Sequence, residues 1–124
     1  MRQTGLIVAL GIALAALALA PAAVAKDGDV RVEGTCTGAS TSELKLSREN
    51  GLVEVELEVD QNRNGVVWRV VLVRNGRVVG RKVRVTRPPS GSFEARFVRR
   101  GAGRFVARAT SRTGERCTAA AFIA

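Results

Sequence analysis

The segment Asp60-Gln61-Asn62-Arg63-Asn64-Gly65 sets oxygen-bearing side chains at alternate positions and a glycine at the sixth. That is the first half of a D-x-[DN]-x-[DN]-G loop, where alternate oxygens wrap a hard cation and the glycine allows the sharp turn. Asp60, Asn62 and Asn64 are the residues here that suggest calcium. Position twelve is Val71, where the motif needs a bidentate glutamate, and Arg63 adds positive charge inside the loop. Asparagine and glycine also supply the positive φ values that β-turns need. A turn without metal is therefore the favoured reading. Glu54, Glu56 and Glu58 are carboxylates of the kind that pair in glycoside hydrolysis. They alternate on one strand face, and nothing nearby would raise a pKa. The chain has no His and no Tyr, which removes the commonest general base and the usual transition-metal ligands. The expectation is a non-enzyme without a cofactor.

Arginine is the other chemically active residue type. Arg96, Arg99, Arg100, Arg104 and Arg108 gather around what reads as a single hairpin. Guanidinium forks bind phosphate and carboxylate in pairs of hydrogen bonds, so these five are candidates for holding a polyanion. The whole chain carries 20 Lys and Arg against 11 Asp and Glu, a net charge of +9. Such a balance favours acidic partners, among them anionic cell-wall polymers. The competing reading is a solvated charge surface. Nucleic acid is disfavoured because stacking aromatics are few. Val67, Val71, Val73 and Val78 are candidates for an outward interaction face; β-branched strand filler is the alternative.

The two cysteines, Cys36 and Cys117, lie near the two ends of the domain. With no C-x-x-C and no histidine to activate a thiol, a structural disulfide joining first and last strands is expected. Closing a loop of about 80 residues is worth roughly 4–5 kcal/mol as an upper figure in the chain-entropy model.

These residues need a scaffold, and its signal is period-two alternation. Val30, Val32 and Cys36 mark a first strand. Ser42 to Glu49 alternates through Leu44 and Leu46, then Asn50-Gly51 turns the chain. From Leu52 to Asp60 the odd positions are apolar and the even ones mostly acidic. Val66 to Arg74 is apolar on both faces, as in a central strand. After Asn75-Gly76 comes Arg77 to Thr86, and then Pro88-Pro89 interrupts the ladder. Phe93 to Phe97, Phe105 to Ala109 and Arg116 to Ile123 complete about seven or eight strands. No helical period follows residue 25, so an all-β sandwich or barrel is expected.

The strands 52–60, 66–74 and 77–86 are expected to form a three-stranded meander. In that register Trp68 opposes Val83, Arg69 opposes Lys82, and Leu57 meets Trp68. Glu56, Arg69 and Lys82 then make a charge-matched outer row, and Arg81 falls on the core side.

The run Gly103-Arg104-Phe105-Val106-Ala107-Arg108-Ala109 is similar to the Gly-x-aromatic-x-apolar penultimate strand of bacterial immunoglobulin-like or fibronectin type III-like domains. Trp68 on a central strand, the strand count and the length fit as well. The resemblance implies an antiparallel immunoglobulin-like sandwich serving adhesion, spacing or ligand display. The chain departs from the pattern in two places. Phe105 lacks the hydroxyl of the tyrosine corner, and Cys117 lies beyond the Phe105 strand, so the bridge is not the usual one between sheets.

The N-terminus reads as an export signal. Arg2 precedes an uncharged run from Leu6 to Ala20, followed by Pro21 and Ala23-Val24-Ala25. That is a charged region, an apolar region and an A-x-A cleavage site. Residues 1–25 are expected to be removed after Ala25, leaving 26–124 as one domain with no membrane span. The arginine and alanine bias points to a GC-rich bacterial genome. The expected function is a secreted or envelope-associated binding or structural module, taking anionic envelope polymers through the arginine hairpin. A protein-interaction domain using the outward valines and a secreted enzyme inhibitor are the alternatives.

Overall fold

Segments that alternate apolar and polar residues form strands, because period two puts one set of side chains on a dry face. The computed structural model describes residues 28–124. The expected export signal, 1–25, lies outside the described residues. Among the described residues the secondary structure is all strand: β1 (Val30–Glu33), β2 (Thr35–Cys36), β3 (Thr41–Glu49), β4 (Leu52–Asp60), β5 (Val67–Arg74), β6 (Arg77–Val85), β7 (Ser92–Arg100), β8 (Gly103–Ser111) and β9 (Arg116–Ile123). They form two antiparallel sheets. The four-stranded sheet runs β1-β3-β4-β7, and the five-stranded sheet runs β2-β9-β8-β5-β6.

The inner faces of the two sheets make one core. Leu44, Leu46, Val53, Val55, Leu57, Val59, Phe93, Ala95 and Phe97 meet Trp68, Val70, Leu72, Phe105, Ala107 and Ala109. Trp68 is fully buried, packs its ring 5.7 Å from that of Phe93, and donates its Nε1–H to Gln61 Oε1 at 3.0 Å. A buried indole N–H without that partner would be costly. β1 and β2 are one stretch of chain that changes sheet at Gly34. A Cβ there would strike the hydroxyl of Ser42 and lie 2.7 Å from the Thr118 carbonyl oxygen. Only glycine lets the backbone through. The Cys36–Cys117 disulfide joins β2 to β9, neighbours in the five-stranded sheet.

The expected meander does not form. β4 pairs with β3 and β7, while β5 pairs with β6 and β8. Leu57 and Trp68 do share the core, but on opposing sheets. Alternation reports which side of a strand is dry and not which strand lies beside it. The connection 61–66 is long enough to cross the roughly 10 Å between packed sheets. Glu56 therefore lies opposite Lys45 and Arg96 rather than Arg69.

The β5–β6 register is also shifted. Arg74 opposes Arg77 as expected, but a bulge intervenes where Leu72 opposes Gly80 and Val73 opposes Val78. Trp68 then faces Arg84, and Arg69 faces Val83. One extra residue exchanges the faces of the rest of β6. Arg81 consequently points outward and is exposed, contrary to expectation, while Lys82 and Arg84 turn inward. Lys82 Nζ sits 5.2 Å from the centroid of the Phe97 ring, and Arg84 Nε donates to the Glu94 carbonyl at 3.1 Å. Inward cations on an edge strand blunt its tendency to pair with other chains.

Candidate functional site

The two sheets differ sharply in charge. The strands of the five-stranded sheet contain no Asp or Glu. Those of the four-stranded sheet contain Glu33, Glu43, Glu49, Glu54, Glu56, Glu58, Asp60 and Glu94. Among the described residues, the ion pairs lie on the four-stranded sheet: Arg31–Glu43 at 3.0 Å, Lys45–Glu56 at 3.6 Å, and Arg96–Glu54. Hydrogen bonding and opposite charge from Glu54 raise the Arg96 pKa above its usual range.

The outer face of the five-stranded sheet follows from register. Side chains directly opposite across a ladder share a face. Trp68, Val70 and Leu72 point into the core, so Val67, Arg69, Val71 and Val73 point out. One outer row reads Val83, Arg69, Thr110, Arg116. The next reads Arg81, Val71, Arg108, Thr118. Beyond it lie Val78, Val73, Val106 and Ala120, and Arg104 stands opposite Phe122. Arg69, Arg81, Arg104, Arg108 and Arg116 are all exposed. With adjacent strands about 4.8 Å apart, Arg81 and Arg108 stand about 10 Å apart across Val71. The result is a broad cationic sheet face with apolar residues between the charges and no carboxylate to neutralise it.

The five arginines expected on one hairpin are dispersed. β7 and β8 belong to different sheets, so Gly101-Ala102 is a crossover and not a hairpin turn. Arg96 lies on the outer face of the four-stranded sheet, bound to Glu54. Arg99 folds over the Phe97 ring and donates from Nε to the Val79 carbonyl at 2.8 Å, closing the seam between β6 and β7. Arg100 accepts a hydrogen bond from Arg74 at its carbonyl. Only Arg104 and Arg108 stand on the carboxylate-free face. The valine candidates, by contrast, stay together. Val67 and Val71 are half-buried, Val73 is buried, and Val78 is exposed, all on the same face as Arg104 and Arg108. The two candidate surfaces are one surface.

Arg69, Arg81 and Arg116 were not among the sequence candidates for this face. Strand parity around Trp68 and Ala107 carried the signal for Arg69 and Arg116. The mistaken pairing of Arg69 with Glu56 hid the first. The bulge hid Arg81.

The other candidates have local duties. Asp60 Oδ1 accepts the Asn62 N–H at 3.1 Å, and Asn62 and Gly65 take φ values of 59° and 78°. The loop is pinned by Gln61 N–H to the Gly91 carbonyl at 2.9 Å and Gly65 N–H to the Thr86 carbonyl at 2.9 Å. Glu54 and Glu56 hold Arg96 and Lys45. Glu33, Glu43, Glu58 and Glu94 form one cross-strand row, an arrangement that costs free energy except where Arg31 relieves Glu43. Glu115 lies near both cysteines, but their sulfurs are bonded to each other and hold no metal. No helix among the described residues is long and apolar enough to cross a membrane. Comparison with family models, with curated proteins and with solved structures produced no match.

Proposed function

We propose that this chain is an exported, non-catalytic binding module that holds an anionic envelope polymer against the outer face of its five-stranded sheet. The observation that carries the reading is the segregation of charge. Five exposed arginines share a face whose strands contain no carboxylate, while every acidic residue within a strand lies on the other sheet. Unpaired guanidinium groups in rows suit a ligand with repeated negative charge. A disulfide between β2 and the last strand, β9, is consistent with an oxidising compartment, and with the A-x-A segment near residue 25. The penultimate strand β8, with Phe105, Ala107 and Ala109 buried, supports an immunoglobulin-like reading of the two-sheet fold. Such scaffolds serve display and adhesion.

The test is retention on isolated bacterial envelope at about 0.05 M and about 0.5 M salt, on either side of physiological screening. Wild type should be retained at low salt and released at high salt. The double variant Arg81→Gln/Arg108→Gln should lose most of its retention, whereas Arg96→Gln, on the other sheet, should keep it. Equal retention by all three proteins would sink the assignment to this face. Val78 and Val83, 46% and 58% exposed, favour one second reading, a protein partner on the same face. Retention that survives high salt would select it.

A further inference from the structure

Thr110 points out from β8 with an arginine on every side. Arg69 opposes it on β5 and Arg116 opposes it on β9. Arg108 and Arg112 lie two residues before and after it, and period two turns them to the same face. The Arg112 N–H donates to the Val67 carbonyl at 2.8 Å, so the β5–β8 ladder runs past Ser111 and holds Arg112 in line. All four arginines and Thr110 are exposed.

Neighbours on such a lattice are close. Directly opposed residues lie about 4.5–5.5 Å apart at Cβ, and diagonal ones about 7–8 Å. Four long, flexible side chains therefore reach over one threonine. Among the described residues, no ion pair or hydrogen bond occupies any of these four guanidinium groups, or the Thr110 hydroxyl. The nearest carboxylate along the chain, that of Glu115, accepts hydrogen bonds from Gly38 and Ser40 instead. Between Arg69 and Arg112 the surface sinks into a hollow of about 270 Å³, lined by Val67, Arg69, Thr110, Ser111 and Arg112. Like charges gathered across a ladder oppose folding, and a bound anion relieves them.

We propose that this cluster binds a phosphomonoester carried by the envelope polymer, seated over Thr110 with one side in the hollow. Charge and donor number select that group. A phosphomonoester carries about −1.5 to −2 charge at about pH 7, and three acceptor oxygens. A carboxylate has a single charge and two oxygens, which one guanidinium fork satisfies. It would leave the other three arginines uncompensated. In the complex, Arg69 and Arg112 hold the phosphate from opposite corners of the hollow. Arg108 and Arg116 close the remaining sides, and the Thr110 hydroxyl donates to a phosphate oxygen. The site stands on the arginine cluster; that its phosphate belongs to an envelope polymer rests on the polyanion reading.

The test uses the chain expressed from its full sequence in an exporting host. Glycerol phosphate is the probe, with acetate for comparison at matched ionic strength. The amide and guanidinium N–H resonances of Arg69, Arg112 and Arg116, and the Thr110 amide, should shift saturably with glycerol phosphate. Its affinity should exceed that of acetate by about tenfold or more. Affinity should also rise several-fold between about pH 5 and about pH 7.5, as the ester loses its second proton at about pH 6. The chain has no histidine and arginine is charged across that range, so the ligand supplies the dependence. Arg69→Gln/Arg112→Gln should weaken binding by about tenfold or more. Arg48→Gln/Arg77→Gln, which removes as much charge elsewhere, should leave it unchanged. Phosphatase treatment of isolated envelope should lower retention of the wild type. Affinity no greater than for acetate, or indifference to Arg69→Gln/Arg112→Gln, would overturn the site. Undiminished retention on phosphatase-treated envelope would overturn the polymer-borne phosphate and leave the polyanion reading standing. Saturable glycerol phosphate binding around Thr110, with no retention on any envelope, would uphold the site and sink that reading.

Discussion

Glu115 shows how a single side chain can fasten a loop that no periodic pattern describes. Its carboxylate accepts the Gly38 N–H at 3.1 Å, the Ser40 N–H at 2.9 Å and the Ser40 hydroxyl at 2.7 Å. These bonds tie the segment between β2 and β3 to the β8–β9 turn, beside the disulfide. Glu115→Ala leaves those donors without their acceptor and should cost about 1–3 kcal/mol. Chemical denaturation would measure the loss, and hydrogen exchange should show the amides of Gly38 and Ser40 losing protection first. The sequence places Glu115 in a turn but says nothing of Ser40, because the two meet only once the ends of the domain are brought together. Arg99 is a similar case. It reads as a cation on a charged tip, yet its position over Phe97 makes it part of the seam between sheets.

At the scale of elements, the strands were legible and their neighbours were not. β4 and β9 run as read, from Leu52 to Asp60 and from Arg116 to Ile123, because alternation and turn residues are local properties. The β6 bulge shows where local reading fails. Counting back from Asn75-Gly76 puts Val83 opposite Trp68, and only the packing of Gly80 against Phe97 reveals the slip. A Cβ on Gly80 would lie 2.7 Å from the Phe97 ring and 2.8 Å from the Arg99 guanidinium. Gly80→Val should therefore cost about 1–3 kcal/mol by overpacking. Thermal unfolding would register it as a drop of roughly 4–8 °C per kcal/mol for a domain of this size. The mutual exclusion of Phe97 and a side chain at 80 is a contact between sheets, beyond the reach of any window along the chain.

At the scale of the molecule, a small two-sheet domain depends on closure of its ends. The bridge spans a sequence separation of 81 residues. Replacing Cys36 and Cys117 together by alanine should cost about 2–5 kcal/mol. The midpoint of urea unfolding should fall accordingly, with the wild type under reducing conditions behaving like the variant. Charge is also organised at this scale. The excess of arginine over acid could be counted from composition, but its concentration on one sheet could not. Each sheet collects strands from distant parts of the chain, with β2 and β9 side by side at one edge and β5 beside β8 in the interior.

The amino-acid sequence by itself determined that the domain is all-β, where its turns fall, which face of most strands is buried, and that Cys36 and Cys117 would pair, although the chain changes sheet at Gly34 and the staple runs from β2, not β1, to the last strand. Those features follow from interactions between residues close along the chain, or from there being only one possible pair of cysteines. Tertiary structure alone decided that β4 and β5 face each other across the core, that Arg81 points outward, and that the arginine and valine candidates occupy one face. It also set Arg69 and Arg116 on either side of Thr110. Hydrogen-bonded ladders join strands according to which sheets close around the largest apolar surface. That is a property of the whole set of strands, and no single segment encodes it.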